Sequence, residues 1–525
     1  MARPAAAAGV FFRCAGKRLP GSRAASTTTA PHHGAASICG SGVPLVVDHE
    51  RALAGATSKM RRPMKAPMAT STFSSSPIIA IAGGSGGSRT ASSASSSSSS
   101  CSSSRPRPMR RHFSSSLPSS FNLFTPSDEH AQLRSLVREW TKEHVEPQAL
   151  EFNRAEKFNV DLFRRLGSDL GLLGPMVSDE YGGAGFDAVA ACIIHEELSY
   201  ADPAFCLSYL AHSLLFVHNL YHNGNELQKQ KYLPKTVSGE WIGGMGMSEP
   251  GAGTDVLGLR TRATSDGDGD EYFLLNGSKM WITNGCVDDS TLGDVFLVYA
   301  NTAAPDTPEK TARKQISLFL VEKSFPGFSL GQKIKDKCGM RASNTAELVF
   351  ENVKVPKENL VGELNGGMVP MMRNLEVERI VLAAMSCGIA RRAIDAMRKH
   401  ARDRTAFGKP IDTYGQIQDH IATSYAEWMA SRSLLYNVAQ ATDLEKAGQR
   451  IDSDAIKLVA TKMATRVCDR AIQVHGGYGY VGEYVVERLW RDAKLLEIGG
   501  GTLEAHQKNI VADLASLVGP NDMPN

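Results

Sequence analysis

The chain has 525 residues and a formal charge of only +3. That near balance hides two unlike parts: residues 1–127 carry 15 Lys and Arg against two acids, Asp48 and Glu50, while the remainder holds 43 basic and 53 acidic residues. An acidic body gives nucleic-acid binding no electrostatic support, and without a run of about 18 apolar residues no transmembrane helix is expected.

The first part is rich in Ala, Ser and Arg and contains the near-homopolymer SSASSSSSSCSSS. This is the composition of an organelle transit peptide followed by a low-complexity spacer, and an Arg-bearing, acid-poor start suits a mitochondrion. Within it, IIAIAGGSGGSRT imitates a nucleotide-binding strand and turn. The third glycine is missing and serines stand where a helix must begin, so the run reads as low complexity. Cys192, Cys206, Cys286, Cys338, Cys387 and Cys468 are scattered with no Cys-x-x-Cys, so neither a metal site nor a disulfide scaffold is expected.

The remaining 400 or so residues exceed what one hydrophobic core supports, and they divide by periodicity into three blocks. Residues 119–243 read as helices: Leu133, Leu136, Val137 and Trp140 fall at helical spacing, and Ser127 ahead of Asp128 and Glu129 marks a helix start. Residues 244–362 read as a small β domain. EYFLLNGSKMWITNG suggests two strands joined by an Asn276-Gly277 hairpin turn, and DVFLVYA, ISLFLVEK and TAELVFENVKV are further strands. Residues 363–525 return to long helices, with Ile380, Ala383, Ala384, Cys387, Ala390, Ala393 and Ile394 on one face whose small side chains let helices approach closely.

Four stretches carry chemistry-bearing residues. In MGMSEPGAGTDV, Pro250, Gly251 and Gly253 break regular structure and offer backbone N–H groups to oxygens. In KMWITNG, Trp281 and Thr283 suit packing on, and hydrogen bonding to, a flavin ring, although a core Trp and a strand-end turn fit as well. RDRTAFGKPI presents Arg404, which suits a pyrophosphate or is simply solvated. QVHGGYGYVGEY places Gln473 and His475 before Gly476 and Gly477, and a lone His there is more often structural.

Taken together and in this order, MSEPGAGTDV, KMWITNG, GMRASNTAELVFENVKVP, RTAFGKPI, GGYGYVGEY and LWRDAKLLEIGGGT resemble the acyl-CoA dehydrogenase family, over about residues 121–517. The resemblance implies a mainly α fold with an N-terminal helical domain, a middle β-barrel and a C-terminal four-helix bundle. It implies FAD as cofactor and an acyl-CoA as substrate, with electron-transfer flavoprotein as partner and a homotetramer or dimer as assembly. Carried over residue by residue, the flavin would be held by Met245, Met247, Ser248, Gly253, Thr254, Trp281, Ile282, Thr283, Arg404, Gln416, Gln473, Gly476, Gly477, Thr502 and Glu504. The substrate would meet Thr254, Arg379, Gly500 and Gly501. In most of the family the carboxylate base directly precedes a Gly-Thr pair; here that pair is Gly501-Thr502 and the base position is Gly500, which has no side chain. A minority branch, which includes enzymes for isovaleryl-CoA, carries the base in a motif like LxxERxxxA, and NLEVERIVLAA places Glu378 there with Arg379 beside it. Glu376 is two residues away, roughly 200° around a helix, so both cannot face one site. The resemblance therefore implies dehydrogenation of a short branched acyl-CoA, isovaleryl-CoA foremost, in the mitochondrial matrix as part of leucine breakdown. Another short or medium acyl-CoA, or an inactive flavin-binding scaffold, stays open. The chain departs from the pattern at Gly415, which stands where a Gln usually follows an aromatic residue, with Gln416 one position later, and at Val369, where a Tyr is common near the substrate.

Overall fold

A computed structural model describes residues 122–265, 271–444 and 450–516. The expected transit segment, residues 1–118, and the decoy IIAIAGGSGGSRT lie outside the described residues.

The first helix, Asp128–Trp140, begins where the sequence places it, with the Ser127 side chain accepting the His130 N–H. Leu133, Val137 and Trp140 are buried as expected, whereas Leu136 is 48% exposed and belongs to the outer edge of the stripe. The helix continues through a wider turn, Thr141–Val145, into Glu146–Ala155. Pro147 gives the reason: it lacks an N–H and its ring crowds the carbonyl four residues back, so the turn before it opens to one more residue. Ala188–Ala201, capped by Asp187, is buried on nearly every side and forms the centre of this block.

The β block is one eight-stranded sheet. Val295–Asn301 and Ile316–Glu322 lie toward one end of its strand order, inside the short edge strand Leu360–Val361, and pair antiparallel over their whole length. Their alternate residues serve two cores. Leu297, Tyr299, Leu318 and Leu320 pack against Phe216, Tyr232 and Leu233 of the helical block. Phe296, Val298, Phe319 and Val321 pack against Leu348, Phe350 and Val353 from the far end of the same sheet, so the sheet folds over onto itself. One expectation fails here. Asn276-Gly277 is not a hairpin turn; Tyr272–Thr283 is a single strand paired with Thr345–Pro356, and the ladder shifts register between Leu275 and Gly277. Gly277 has φ +139°, and a Cβ there would come within 2.7 Å of Thr261. The glycine serves a bulge with close backbone approach, not a reversal of the chain.

The last block holds helices Met368–Asp403, Gly415–Ala441, Arg450–His475 and Leu503–Ser516, with a shorter helix, Val485–Leu496, that leads into the glycine run. The small-residue face of the long helix Met368–Asp403 is buried throughout. At Gly388 a Cβ would overlap the Glu196 carbonyl, and Ser199 Oγ donates to the Met385 carbonyl at 3.0 Å, so this helix and Ala188–Ala201 touch backbone to backbone. The contact is locked by buried charge: Glu196 and Glu197 receive Arg134 and Arg138 from the first helix, Arg391 from the long helix and Arg432 from Gly415–Ala441. The helix that carries Glu378 is thus held on two sides.

Candidate active site

Glu378 sits ten residues into the long helix and is buried. Burial pushes its carboxyl pKa up to about 7, against the opposing pull of Lys457 and Arg379. Its Oε2 has no hydrogen-bond partner among the described residues. A buried carboxylate oxygen without a partner is costly unless a ligand is to meet it. Glu376 is only half-buried.

The glycine run faces this carboxylate. Helix Val485–Leu496 closes with the N–H groups of Ile498 and Gly499 both turned back to the Leu495 carbonyl. Gly500 and Gly501 then take φ +64° and +97°, and Thr502 starts the next helix by accepting the Ala505 N–H at 3.3 Å. A Cβ on Gly500 would run into Leu382 and stand 3.4 Å from the Glu378 carboxyl group. One volume therefore holds either a side chain at position 500 or the carboxylate of residue 378. Among the described residues, the N–H groups of Gly500, Gly501 and Thr502 have no backbone acceptor, and Gly500 is the one that stands beside Glu378.

Arg379 points away, its Nε 3.1 Å from Asp454 Oδ1 on helix Arg450–His475. Lys457, one turn further along that helix, is fully buried and donates to the Gly501 carbonyl. His506 approaches the same carbonyl with Nε2 at 3.0 Å. Asp454, Lys457 and His506 were not legible as site residues, because only the folded chain brings residues 454, 457, 501 and 506 together. Asn374, one turn before Glu378, was missed too: it is buried and neither of its amide atoms finds a partner among the described residues.

A second group forms around the loop that follows strand Gly243–Gly246. Met245 is buried in that strand, and Met247 and Ser248 are half-buried just beyond it. The Ser248 carbonyl accepts the Met280 N–H at 2.9 Å and the Met247 carbonyl accepts Lys279 Nζ at 3.2 Å, so the loop is tied to the strand that carries Trp281, Ile282 and Thr283. Lys279 and Glu249 form a buried pair at 2.7 Å, and Glu249 also accepts the N–H groups of Arg260 and Thr261. Gly253 and Thr254 are exposed. Trp281 is not a core residue: it sits at a second bulge with φ +62°, 54% exposed, while Ile282 beside it is buried. An exposed indole and a half-buried Thr hydroxyl two residues apart, on the strand tied to a loop with open space at Gly251 and Gly253, fit a flat heteroaromatic ring.

Arg404, Gly476 and Gly477 line a third feature, a cleft of about 640 Å³ that also includes His400, His475 and Tyr478. Gln416 and Gln473 are exposed and stand outside its lining, and Glu504 is exposed on the helix after the glycine run. Arg404 caps the far end of the long helix, 26 residues from Glu378. At the α-helical rise this is roughly 39 Å along the axis. Within one chain this cleft and the Glu378 pocket are therefore separate places.

Three family profiles match the chain: acyl-CoA dehydrogenase N-terminal domain over residues 127–240, middle domain over 244–353 and C-terminal domain over 365–515. The mitochondrial isovaleryl-CoA dehydrogenase of Pongo abelii is 41% identical over 382 residues, covering 73% of this chain and 87% of that one. The mitochondrial 2-methylacyl-CoA dehydrogenase of Solanum tuberosum is 40% identical over 389 residues, covering 74% and 90%. The structure of an acyl-CoA dehydrogenase complexed with FAD from Bacillus anthracis superposes with TM-score 0.67 at 31% identity, covering 74% of this chain and 67% of that one. On these matches the chain belongs to the acyl-CoA dehydrogenase family and is an FAD-dependent oxidoreductase acting on the CH–CH bond of an acyl-CoA.

Proposed function

We propose that this enzyme dehydrogenates a short branched acyl-CoA, isovaleryl-CoA foremost, and that Glu378 removes the α-proton. The observation that carries this reading is the exchange at Gly500: where a side chain would stand, the Glu378 carboxylate lies against a bare backbone with one oxygen unpartnered. A carboxyl group whose pKa is near 7 is well matched to accept a proton at neutral pH. The Gly500 N–H would hold the thioester oxygen and favour the negative charge that develops there, with bound FAD able to supply a second donor. Bound FAD supplies the acceptor for the β-hydride. Trp281, Ile282, Thr283, Met245, Met247, Ser248, Gly253 and Thr254 hold its ring side, and Thr502 and Glu504 border it beyond the glycine run. The branched-substrate reading is supported by the two relatives above, which are named for branched acyl-CoAs.

The phosphates of the cofactor are assigned to Arg404, Gly476, Gly477, Gln473 and Gln416. Roughly 39 Å of helix separates Arg404 from Glu378, more than an extended dinucleotide spans, so the cleft that completes one site belongs to a second copy of the chain. This supports a homodimeric unit, in keeping with a dimer or tetramer. Electrons pass on to electron-transfer flavoprotein, and residues 1–118 direct the protein to the mitochondrial matrix.

The test is anaerobic bleaching of the purified yellow enzyme with isovaleryl-, isobutyryl-, butyryl- and octanoyl-CoA. Fastest bleaching with isovaleryl-CoA is expected. A faster reaction with butyryl- or octanoyl-CoA would overturn the branched-substrate reading while leaving the family intact.

A further inference from the structure

His506 and Asp454 are both fully buried, and neither is required by the removal of a proton and a hydride. His506 Nδ1 lies 2.5 Å from Asp454 Oδ1, and Nε2 lies 3.0 Å from the Gly501 carbonyl oxygen. A singly protonated imidazole can donate to only one of these oxygens; at the other, a nitrogen lone pair would oppose an oxygen lone pair. Both contacts are satisfied when Nε2–H donates to Gly501 and a second proton lies between Nδ1 and Asp454. Burial foremost, with Lys457 and Arg379, holds the ring below the ordinary imidazole pKa and Asp454 works against them, so the second proton is one shared across the short Nδ1–Asp454 contact. Arg379 faces the same Asp454 oxygen from the long helix, Lys457 shares the Gly501 carbonyl, and Arg450 is taken up by Asp513. Glu378 stands on the other side of the turn.

We propose that His506, oriented by Asp454, is a positioning residue for the dehydrogenation: by donating to the Gly501 carbonyl alongside Lys457, it fixes the Gly499–Thr502 turn with its free N–H groups toward the substrate thioester. The proposal rests on Glu378 as base and the Gly500 N–H as donor. Its physical basis is the turn itself. Gly500 and Gly501 both adopt left-handed φ, a conformation that glycine permits but does not impose. The restraint must come from outside, and a buried imidazole in contact with the position of a Gly501 Cβ, at 2.9 Å, together with the Lys457 ammonium, provides it.

The test uses FAD-loaded enzyme and the variants H506F, which fills the ring volume without donors, and H506Q, which can restore the donor to Gly501. Turnover is measured alongside the pH midpoint for α-deprotonation of a 3-thia-acyl-CoA. Sulfur at the β position of that analogue blocks hydride loss but leaves the α-proton removable, and the bound enolate is read by its long-wavelength absorbance. H506F is expected to lose about ten- to a hundredfold in kcat with KM within about threefold, as a displaced donor would cause. Its analogue midpoint should move up by about one pH unit or more, and H506Q should recover most of both. D454N should shift kcat and midpoint in the same direction, and it serves as the readout should H506F not fold. Wild-type kcat and midpoint in H506F, or in D454N where H506F is not obtained, overturn the proposal. E378Q is run in parallel: if it turns over and deprotonates the analogue normally, the underlying base assignment fails whatever His506 does.

Discussion

Glu378 is held in a place that suits its reaction and not its folding. Its pKa of about 7 means that folding favours the protonated acid. The stabilising contribution is complete below the ordinary carboxylate range, near 4.5, and is lost as pH rises through about 7. Above that pH the ionised carboxylate costs roughly 3 kcal/mol in the substrate-free protein. E378Q should therefore be the more stable protein at pH 8 by about 1–3 kcal/mol, with the difference shrinking to a few tenths by about pH 4, as read by urea unfolding at the two pH values. The same variant should keep its flavin and lose turnover by about three orders of magnitude or more, since the proton has no other acceptor at hand. In the wild type, kcat/KM should climb with pH through about 7 and then level. Gly500 is the complementary position. G500A would place a methyl group in a left-handed backbone, against Leu382 and the base. A loss of about 1–2 kcal/mol in stability is expected from the backbone alone, with a larger loss in kcat, checked by thermal unfolding and steady-state rates.

Elements set the precision of these residues. The long helix is fixed on one side by Glu196 and Glu197 with their arginines and on another by helix Arg450–His475, which supplies Lys457 and Asp454. The flavin-facing loop is fixed by the Lys279–Glu249 pair, whose members are 0% and 4% exposed. Removing the lysine would strand a buried carboxylate. K279M is expected to destabilise the protein by about 3–5 kcal/mol and to lower the ratio of flavin to protein absorbance, while E378Q leaves that ratio unchanged. The legibility of these elements followed their periodicity. Strands Val295–Asn301, Ile316–Glu322 and Thr345–Pro356 and the small-residue face of the long helix were readable, because burial of one face stamps a period on the sequence. Asn276-Gly277 misled, because a bulge inside a strand uses the same glycine chemistry as a turn, and only the partner strand distinguishes them.

On the scale of the whole molecule, the distance between Glu378 and the Arg404 cleft means that, with the cofactor contacts proposed above, a single copy would be incomplete. A mixing experiment tests this. E378Q and R404A are each expected to be nearly inactive, the first in chemistry and the second in flavin retention. Co-expressed as mixed dimers, they place both defects in one site and neither in the other. Roughly a quarter of wild-type activity should then return at equal expression, from random two-fold assembly. No recovery in verified mixed dimers would show that each chain builds its own site.

By itself the sequence determined the family resemblance and the three-block order, and it singled out Glu378 as the candidate base. It did so because motif residues lie close together along the chain and because an absence, Gly500, is as readable as a presence. The tertiary structure decided what residues distant in the chain do to one another. It set the Glu378 carboxylate against Gly500, brought Lys457, Asp454 and His506 beneath the glycine turn, and parted the flavin-facing loop from the Arg404 cleft. Helix packing brings residues more than a hundred positions apart within hydrogen-bonding distance, and no local pattern in a sequence records which of them will meet.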